Sequence, residues 1–263
     1  MAEQPNTQEL WRAMLGGVHP DVRRGRRLHQ LIPSNPRCKM CDAPFGVPGA
    51  FVMRLLGRRP SNKSPRFCDL CEQFARAHPG GAEIELTMFF ADVRGSTTLA
   101  EGMNSSAFSQ LMNRFYAAAN SVLVKSDAMI DKMVGDEVVG LYLPGLAGQE
   151  HARLAVQAAQ DLLRATGHGA RGGPWIPVGV GVHTGTAFVG SVGSAGVTDL
   201  TALGDAVNIT ARLASQAGPG EVLISEATAT AARVERGGLE SRRLDLKGRT
   251  APVDTWVLRV RPA

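Results

Sequence analysis

Hydrophobic and polar residues alternate along the second two thirds of the chain in patterns that predict interleaved strands and helices. Four segments show the period-two or apolar runs typical of strands, namely residues 84–90, 128–134, 137–143 and 178–183. Two segments carry apolar residues at helical spacing, namely residues 105–124 and 151–163. The order of these segments predicts an α/β fold of the ferredoxin-like βαββαβ type, with a mainly antiparallel sheet covered by helices.

Two aspartates stand at the ends of predicted strands. Asp92 follows the apolar run and precedes Gly95, while Asp136 lies at the tip of the predicted hairpin. A buried carboxylate is costly unless a cation shares its site. If the strands are neighbours, the two carboxylates could bridge two Mg²⁺ or Mn²⁺ ions about 3.5 to 4 Å apart. The ordinary alternative is that Asp92 caps a helix near Ser96 and Asp136 is a turn residue.

A downstream segment adds candidate phosphate contacts. Asn208 and Arg212 are four residues apart on a helix that Gly204 and Asp205 would open, so they share one face. An amide beside a guanidinium can donate several hydrogen bonds to a phosphate and a sugar oxygen. Lys247 lies in a predicted turn before the last strand, where it could hold terminal phosphates. Each feature taken alone is also typical of exposed surface.

Together these motifs resemble a known family. From about residue 83 to 260 the chain resembles the class III nucleotidyl cyclases, the adenylate and guanylate cyclase catalytic domain. The resemblance is carried by four motifs in order, namely F-A-D-V-R-G-S-T at 90–97, K-x-x-G-D-E at 132–137, G-V-H-T-G at 181–185 and G-D-x-V-N-x-x-x-R at 204–212. Any one motif is weak, but the ordered set is specific, and it implies a ferredoxin-like nucleotidyl cyclase sandwich.

The resemblance implies a role for each matching residue. The roles are metal ligands for Asp92, Asp136 and the carbonyl of Val93, purine readers for Lys132 and Thr201, ribose orientation for Asn208, stabilisation of the α-phosphate for Arg212, and a triphosphate contact for Lys247. The family builds each site from two subunits, which implies a homodimer. Because none of these residues is missing, we expect an active enzyme rather than a silent cyclase-like regulator.

Base selectivity follows from hydrogen-bonding chemistry. Lys132 can only donate, which suits N1 of adenine, and Thr201 can accept from the adenine amino group. We therefore expect ATP as the substrate, with 3′,5′-cyclic AMP and pyrophosphate as products. Many family members carry an aspartate at the position of Thr201, and a hydroxyl could rotate to serve guanine, so guanylate cyclase activity is the alternative. No general base stands out, since His183 is interpreted as a packed or hydrogen-bonded structural residue.

The first 80 residues differ in charge and composition from the remainder. They hold 13 Lys+Arg against 6 Asp+Glu, whereas residues 81–263 hold 16 against 18. Pro79, Gly80 and Gly81 predict the boundary between a module at 1–80 and a catalytic domain at 81–263. All four cysteines lie in the module as two C-x2-C pairs, Cys38 with Cys41 and Cys68 with Cys71, with 26 residues between the pairs. This spacing predicts a structural Zn²⁺ site, with an iron–sulfur cluster or redox-active dithiols as alternatives.

Partner predictions for the module follow from charge and spacing. The arginine run at 23–27 and the pair at 58–59 could bind nucleic acid or an acidic membrane surface, although a solvated basic segment is the preferred interpretation. With 5% aromatic residues, the chain offers little for stacking on bases. No apolar stretch approaches a membrane span and no signal peptide is recognisable, so a cytoplasmic protein is expected. Residues 10–15 show helical spacing of apolar side chains that could bind a regulatory protein or pack on the module.

Two rival functions remain at this level. Residues 134–138 resemble the G-G-D-E-F hairpin of a diguanylate cyclase, but that interpretation leaves Asn208, Arg212 and Thr201 without roles. The chain could also be a metal-sensing or nucleic-acid-binding regulator whose cyclase-like domain is a dimerisation scaffold. A scaffold has no need of a complete polar set, which favours the enzyme.

Overall fold

The computed structural model describes residues 7–32, 36–38, 41, 43–61, 68–194, 197–245 and 252–260. Its helices are α1 Thr7–Leu15, α2 Pro20–Gln30, α3 Gly49–Leu55, α4 Asp69–Ala77, α5 Ser96–Glu101, α6 Ser105–Lys125, α7 Pro144–Ala147, α8 His151–Ala165, α9 Asp205–Gln216 and α10 Glu226–Ala231. Its strands are β1 Gly80–Val93, β2 Met129–Val134, β3 Glu137–Tyr142, β4 Val178–Ser194, β5 Val197–Leu203, β6 Glu221–Ser225, β7 Glu240–Leu244 and β8 Val253–Arg259.

The sheet has the mixed, mainly antiparallel character expected of the fold. Its strands follow the order β2-β3-β1-β4-β6-β8-β7, and β5 pairs with β4. β3 is antiparallel to both β1 and β2, β8 is antiparallel to β6 and β7, and β4 runs parallel to β6. The predicted α/β class and the neighbouring placement of the first strand and the hairpin are confirmed.

The chain divides into two compact units. The first comprises Met1–Glu85, Leu143–Gly148 and Thr186–Gly204, and the second comprises Leu86–Tyr142, Gln149–Gly185 and Asp205–Ala263. The predicted domain boundary after residue 80 stays a prediction. Gly80 and Gly81, which pattern alone places ahead of the first strand, are the first residues of β1.

The core of the second unit is formed by the apolar run of β1 and the inward faces of the helices. Leu86, Met88 and Phe89 are fully buried in β1. The helix predicted at 105–124 is α6, which begins at an Asn104 cap that accepts a hydrogen bond from the Ala107 amide at 2.8 Å. Gly140 of β3 gives α6 room, because a methyl group there would lie 2.9 Å from Leu123.

Helix α9 lies directly against β4 because of a glycine. A Cβ at Gly181 would lie 2.3 Å from the Ala214 amide nitrogen and 2.7 Å from the Thr210 carbonyl oxygen. The first glycine of the G-V-H-T-G motif therefore permits backbone-to-backbone approach of helix and strand. The buried side of α9 is anchored by Ile209 and Leu213, which belong to one apolar cluster with Leu223 of β6 and Val257 of β8.

An ion-pair network joins strands β6, β8 and β7 of the second unit. Glu221 of β6 accepts hydrogen bonds from two nitrogens of Arg242 on β7, both at 2.7 Å, and it also pairs with Arg259 of β8. The Gly218 amide also donates to this carboxylate at 2.9 Å. Hydrogen bonding from Arg242 is the main reason that the pKa of Glu221 falls to about 2.

In the first unit, the apolar residues predicted at 10–15 pack inward. Trp11, Met14 and Leu15 of α1 are buried, and the Trp11 indole donates to the His78 carbonyl at 3.2 Å. This supports the packing interpretation of α1. Among the residues that the structure describes, no helix combines the length and apolar character needed to cross a bilayer.

Candidate active site and candidate metal centre

The structure brings Asp92 and Asp136 together at one end of the sheet. Asp92 is opposite Glu137 in the register between β1 and β3, and the Val93 amide donates to the Asp136 carbonyl at 3.0 Å. Gly135 forms the hairpin turn at φ +62°, a conformation that favours glycine. The two aspartates, 44 positions apart in sequence, thus become neighbours through strand pairing.

Charge accumulates at this end of the sheet. Burial raises the pKa of the Asp92 carboxyl, Arg94 opposes that shift, and the Asp136 carboxylate adds to it. Burial, followed by the charges of Asp92 and Asp136, raises the pKa of Glu137, with Lys132 acting in the opposite direction. Asp92, Asp136 and Glu137 thus form an oxygen-rich anionic cluster, and such a donor set fits hard divalent cations.

Arg94 and Ser96 contact these aspartates, although sequence reasoning gave neither a role. The Arg94 guanidinium pairs with Asp92 and donates to the Ser215 carbonyl of α9 at 2.8 Å. The Ser96 hydroxyl donates to Oδ2 of Asp136 at 2.5 Å. The signal available in the sequence was their position two and four residues after Asp92, on either side of Gly95, which adopts φ +67° between β1 and α5.

Tyr116 of α6 fixes the hairpin tip. Its hydroxyl donates to the Gly135 carbonyl at 2.5 Å, and burial, then the charge of Asp136, raises the pKa of this phenol. The tyrosine therefore stays protonated as a donor and holds the turn beside Asp136. Its position in the amphipathic pattern of α6 gave no indication of this contact.

The remaining predicted residues lie elsewhere on the second unit or outside it. Asn208 is exposed and Arg212 half-buried on the side of α9 away from Ile209 and Leu213, and Lys132 is exposed on β2. Thr201 is buried on β5 in the first unit. Lys247 lies outside the described residues. His183 is buried and its Nδ1 hydrogen-bonds the Ser225 hydroxyl at 2.8 Å, in agreement with its structural interpretation.

The first unit contains a second candidate site, formed by the four cysteines. The sulfurs of Cys38, Cys41, Cys68 and Cys71 all lie within 4.8 Å of one another. Cys38 is 4.0 Å from Cys71, and Cys41 is 3.7 Å from Cys68. These separations far exceed a disulfide bond length of about 2.05 Å. The arrangement brings the two C-x2-C pairs into one cluster that could hold a metal ion.

Two side chains outside the cysteines support this cluster. The Arg58 guanidinium donates to the Cys41 sulfur at 3.3 Å and to the Cys68 sulfur at 3.9 Å. His29 Nδ1 lies 2.6 Å from the Cys41 carbonyl. A guanidinium near the sulfurs offsets the negative charge of thiolate ligands, and outer contacts of this kind orient the ligands of metal sites.

A fold of this topology with two converging aspartates is typical of nucleotidyl cyclases, and comparison with known proteins defines the family. The model of the "Adenylate and Guanylate cyclase catalytic domain" matches residues 82–259, so the chain belongs to that family. The chain is 33% identical over 132 residues to an adenylate cyclase of Anabaena cylindrica, covering 49% of this chain and 26% of that protein. It is 26% identical over 201 residues to retinal guanylyl cyclase 2 of Rattus norvegicus, covering 74% of this chain and 18% of that protein.

Solved structures show the same fold. The guanylyl cyclase Cya2 superposes with a TM-score of 0.61 at 29% identity, covering 68% of this chain and 93% of that one. The adenylyl cyclase CyaB from P. aeruginosa gives a TM-score of 0.58 at 29% identity, covering 68% of this chain and 96% of that one. The comparisons establish a class III nucleotidyl cyclase domain. Adenylate and guanylate cyclases both match, so the comparisons do not distinguish ATP from GTP as the substrate. The chain spans about a quarter or less of the length of the two curated relatives described above.

Proposed function

We propose that this protein is an adenylate cyclase that converts ATP to 3′,5′-cyclic AMP and pyrophosphate. The observation that carries the proposal is the convergence of Asp92 and Asp136 at the paired ends of β1 and the β2–β3 hairpin. In this proposal the two carboxylates and the Val93 carbonyl hold two Mg²⁺ or Mn²⁺ ions. The Asp136 carboxylate contributes to the raised pKa of both Asp92 and Glu137, and this clustering of negative charge supports a divalent-cation site.

The proposed reaction joins the ribose 3′-oxygen to the α-phosphorus and breaks its bond to the oxygen of the β-phosphate. The bound ions supply Lewis-acid chemistry, acidifying the 3′-hydroxyl and holding phosphate oxygens. Asn208 orients the ribose, and Arg212 stabilises the charge that develops on the α-phosphate. Lys247 binds the triphosphate end, from which pyrophosphate leaves with the electron pair of the broken bond. The 3′-hydroxyl proton passes to an unassigned acceptor.

The preference for ATP is proposed from the chemistry of Lys132 and Thr201. Lys132 donates to N1 of adenine, and the Thr201 hydroxyl accepts from the amino group at N6. Guanine would leave its N1 hydrogen without an acidic partner, and an unpaired buried polar group gives strong discrimination. Because the Thr201 hydroxyl can rotate, the proposed preference for ATP is moderate.

Product analysis tests this proposal directly. The purified chain is incubated with ATP or GTP and Mn²⁺, and products are separated by chromatography. Cyclic AMP should form with the wild type and with Asp161→Asn, a matched change on α8 at a side chain that is 47% exposed, but not with Asp92→Asn. Cyclic GMP as the main product would overturn the argument from Lys132 and Thr201. If the wild type, with its metal content verified, forms neither cyclic AMP nor cyclic GMP, the proposed enzymatic function is contradicted.

We further propose a homodimer in which each site combines residues of two subunits. The exposed placement of Asn208 and Lys132 is compatible with a contribution to a site shared with a second subunit. Asp92→Ala and Arg212→Ala proteins are each expected to be nearly inactive. Random pairing of equal amounts makes about half of the dimers mixed, each with one intact site of two, so about a quarter of wild-type activity should return. Mixed dimers that form without recovering activity would exclude shared sites.

For the cysteine cluster we propose one structural Zn²⁺ bound by all four thiolates. A tetrahedral ion with Zn–S bonds of about 2.3 Å places its sulfurs about 3.8 Å apart. The separations of 3.7 and 4.0 Å are close to that value. An iron–sulfur cluster interposes inorganic sulfide and more than one iron, which spreads the cysteine sulfurs. The distances therefore support a single ion.

Elemental analysis of the purified chain tests the zinc proposal. We expect about one zinc per chain, and loss of zinc in Cys68→Ser, whose sulfur lies fully buried in the cluster. Iron with acid-labile sulfide would establish a cluster instead, and four titratable thiols without metal would establish dithiols. The cytoplasmic location and a regulatory partner for residues 1–80 stay predictions.

A further inference from the structure

Two helices of the first unit expose large apolar side chains to solvent. Phe51 and Leu55 on α3 are 74% and 75% exposed, and Leu28 on α2 is 66% exposed. Leu31, directly after α2, is 79% exposed. Isolated surface leucines are ordinary, but apolar residues this large and this exposed on adjacent segments point to an interaction surface.

The exposure is not caused by a helix that fails to pack. Met53 of α3 is buried, and Gly49 is so close to Pro44 that a Cβ there would lie 2.6 Å from the proline ring. The same Cβ would lie 3.0 Å from Ile32, which follows α2 in the chain. Helix α3 therefore has a packed inner side next to the end of α2, and Phe51 and Leu55 belong to its outer side.

Arginines accompany the apolar residues on both helices. Arg24, Arg27 and Leu28 of α2 follow i, i+3, i+4 spacing, and so do Phe51, Arg54 and Leu55 of α3. Each trio therefore lies on one helical side, and all six side chains are exposed. We call these six residues, which lie on two helices that meet where Gly49 approaches Ile32, the basic apolar surface. Between positions 20 and 61 the sequence has 9 Lys+Arg against 2 Asp+Glu, so the surroundings are strongly positive.

We propose that the basic apolar surface binds a bilayer that contains anionic lipids. Arginines interact with anionic headgroups while adjacent leucine and phenylalanine side chains enter the boundary of the acyl chains, and this combination is what interfacial helices require. The proposal concerns attachment at the membrane surface and does not depend on the cyclase activity. It assigns a partner to the arginine run at 23–27, which the catalytic function leaves unexplained.

Charge distinguishes the bilayer from other occupants. A second copy of the chain in a two-fold contact would bring this surface against itself, and the arginines of the two copies would repel. Nucleic acid would match the charge but offers little to Phe51 and Leu55, since phosphate contacts supply its nonspecific binding. Of these three occupants, the anionic bilayer is the one that satisfies both the arginines and the apolar side chains.

Vesicle cosedimentation of the full-length chain tests the proposal. The protein is mixed with vesicles of phosphatidylcholine alone or of phosphatidylcholine with phosphatidylglycerol, at several salt concentrations. We expect binding to the mixed vesicles, and roughly tenfold or greater weakening by Phe51→Ser with Leu55→Ser, and by Arg24→Gln with Arg27→Gln. Val18→Ser is the matched control, because Val18 is exposed on the same unit but lies outside the surface.

Folding controls keep the result interpretable. Each variant should retain the far-ultraviolet circular dichroism, the metal content and the nucleotide turnover of the wild type. In the described contacts, none of the changed residues touches a cysteine sulfur. Equal binding to both vesicle types, or none to either, would overturn the proposal. Self-association abolished by the Phe51 and Leu55 changes would assign the surface to a second copy instead. Salt-sensitive duplex DNA binding that survives those changes, without vesicle binding, would assign it to nucleic acid.

Discussion

Replacement of Ser96 by alanine isolates one contact of the proposed metal site. The Ser96 hydroxyl donates to the Asp136 carboxylate at 2.5 Å and is supplied by the first residue of α5. Alanine keeps a good helix former at this position, so the helix itself should persist. The change therefore removes a hydrogen bond from a proposed metal ligand while leaving both aspartates in place.

The size of the effect follows from the type of bond. A hydrogen bond to a charged group contributes about 1.5 to 3 kcal/mol, and about 1.4 kcal/mol corresponds to a tenfold change in an equilibrium constant. Loss of a side chain that supports a metal ligand typically lowers metal affinity or activity by about 10- to 100-fold. The two ranges agree. We expect the Mn²⁺ concentration for half-maximal activity to rise about 10- to 100-fold, with a smaller change in turnover at saturating Mn²⁺.

Cyclic nucleotide production at saturating ATP, measured as Mn²⁺ is titrated, gives both quantities. Ser96→Thr keeps the hydroxyl and should restore much of the wild-type Mn²⁺ dependence. Ser121→Ala, on the exposed side of α6, is the matched control and should change nothing. An unaltered Mn²⁺ dependence in an active Ser96→Ala enzyme would refute the reasoning. A loss of turnover that excess Mn²⁺ does not recover would also refute it.

Three further predictions concern charge and hydrogen bonding. Arg212→Ala should lower turnover on the order of 10²- to 10³-fold, as expected for loss of one transition-state donor. Arg153→Ala on α8 is the control and should leave turnover unchanged. Unchanged steady-state kinetics in Arg212→Ala would remove Arg212 from the mechanism. Thr201→Asp should raise the ATP-to-GTP ratio of kcat/KM roughly tenfold, because a carboxylate can only accept, and an unchanged ratio would contradict the assignment of this residue to the base. Because the folded pKa of Glu221 is lowered to about 2, its stabilisation is present above the unfolded value of about 4.3 and is lost as the pH falls through about 2. Urea unfolding of Glu221→Gln should therefore show about 1 to 3 kcal/mol of destabilisation at pH 7 that shrinks towards pH 2. Glu150→Gln, at an exposed position, is the control and should cost under about 0.5 kcal/mol. A destabilisation that does not change with pH would rule out the lowered pKa of Glu221 as its cause.

Hydrophobic pattern predicted the helices more completely than the strands. The amphipathic segments at 105–124 and 151–163 correspond to α6 and α8 within two residues at each end. The strand predicted at 178–183 instead continues as β4 to Ser194. Its second half is rich in glycine, a composition that predicts a loop. Glycine is required there by close packing, since a Cβ at Gly190 would lie 2.2 Å from the Gly80 carbonyl oxygen.

The site was predictable only where its residues lie in recognisable local motifs. Asp92 and Asp136 stand at strand ends that the apolar runs mark, so their approach follows once β1 and β3 are paired. The hydrogen bond from Ser96 to Asp136 joins positions 40 residues apart, and that from Arg94 to Ser215 joins positions 121 apart. Neither donor differs from an ordinary loop side chain until the sheet has formed.

The contact of Arg94 with Ser215 has a consequence that reaches beyond this local geometry. Arg94 pairs with Asp92 and also holds the last turn of α9, the helix on which Asn208 and Arg212 lie. One guanidinium thus connects a proposed metal ligand to the helix that carries the proposed ribose and phosphate contacts. If each active site combines two subunits, this connection runs within one subunit from the metal half of one site to the α9 half of the other. In the proposed homodimer, this single side chain would therefore link the two active sites.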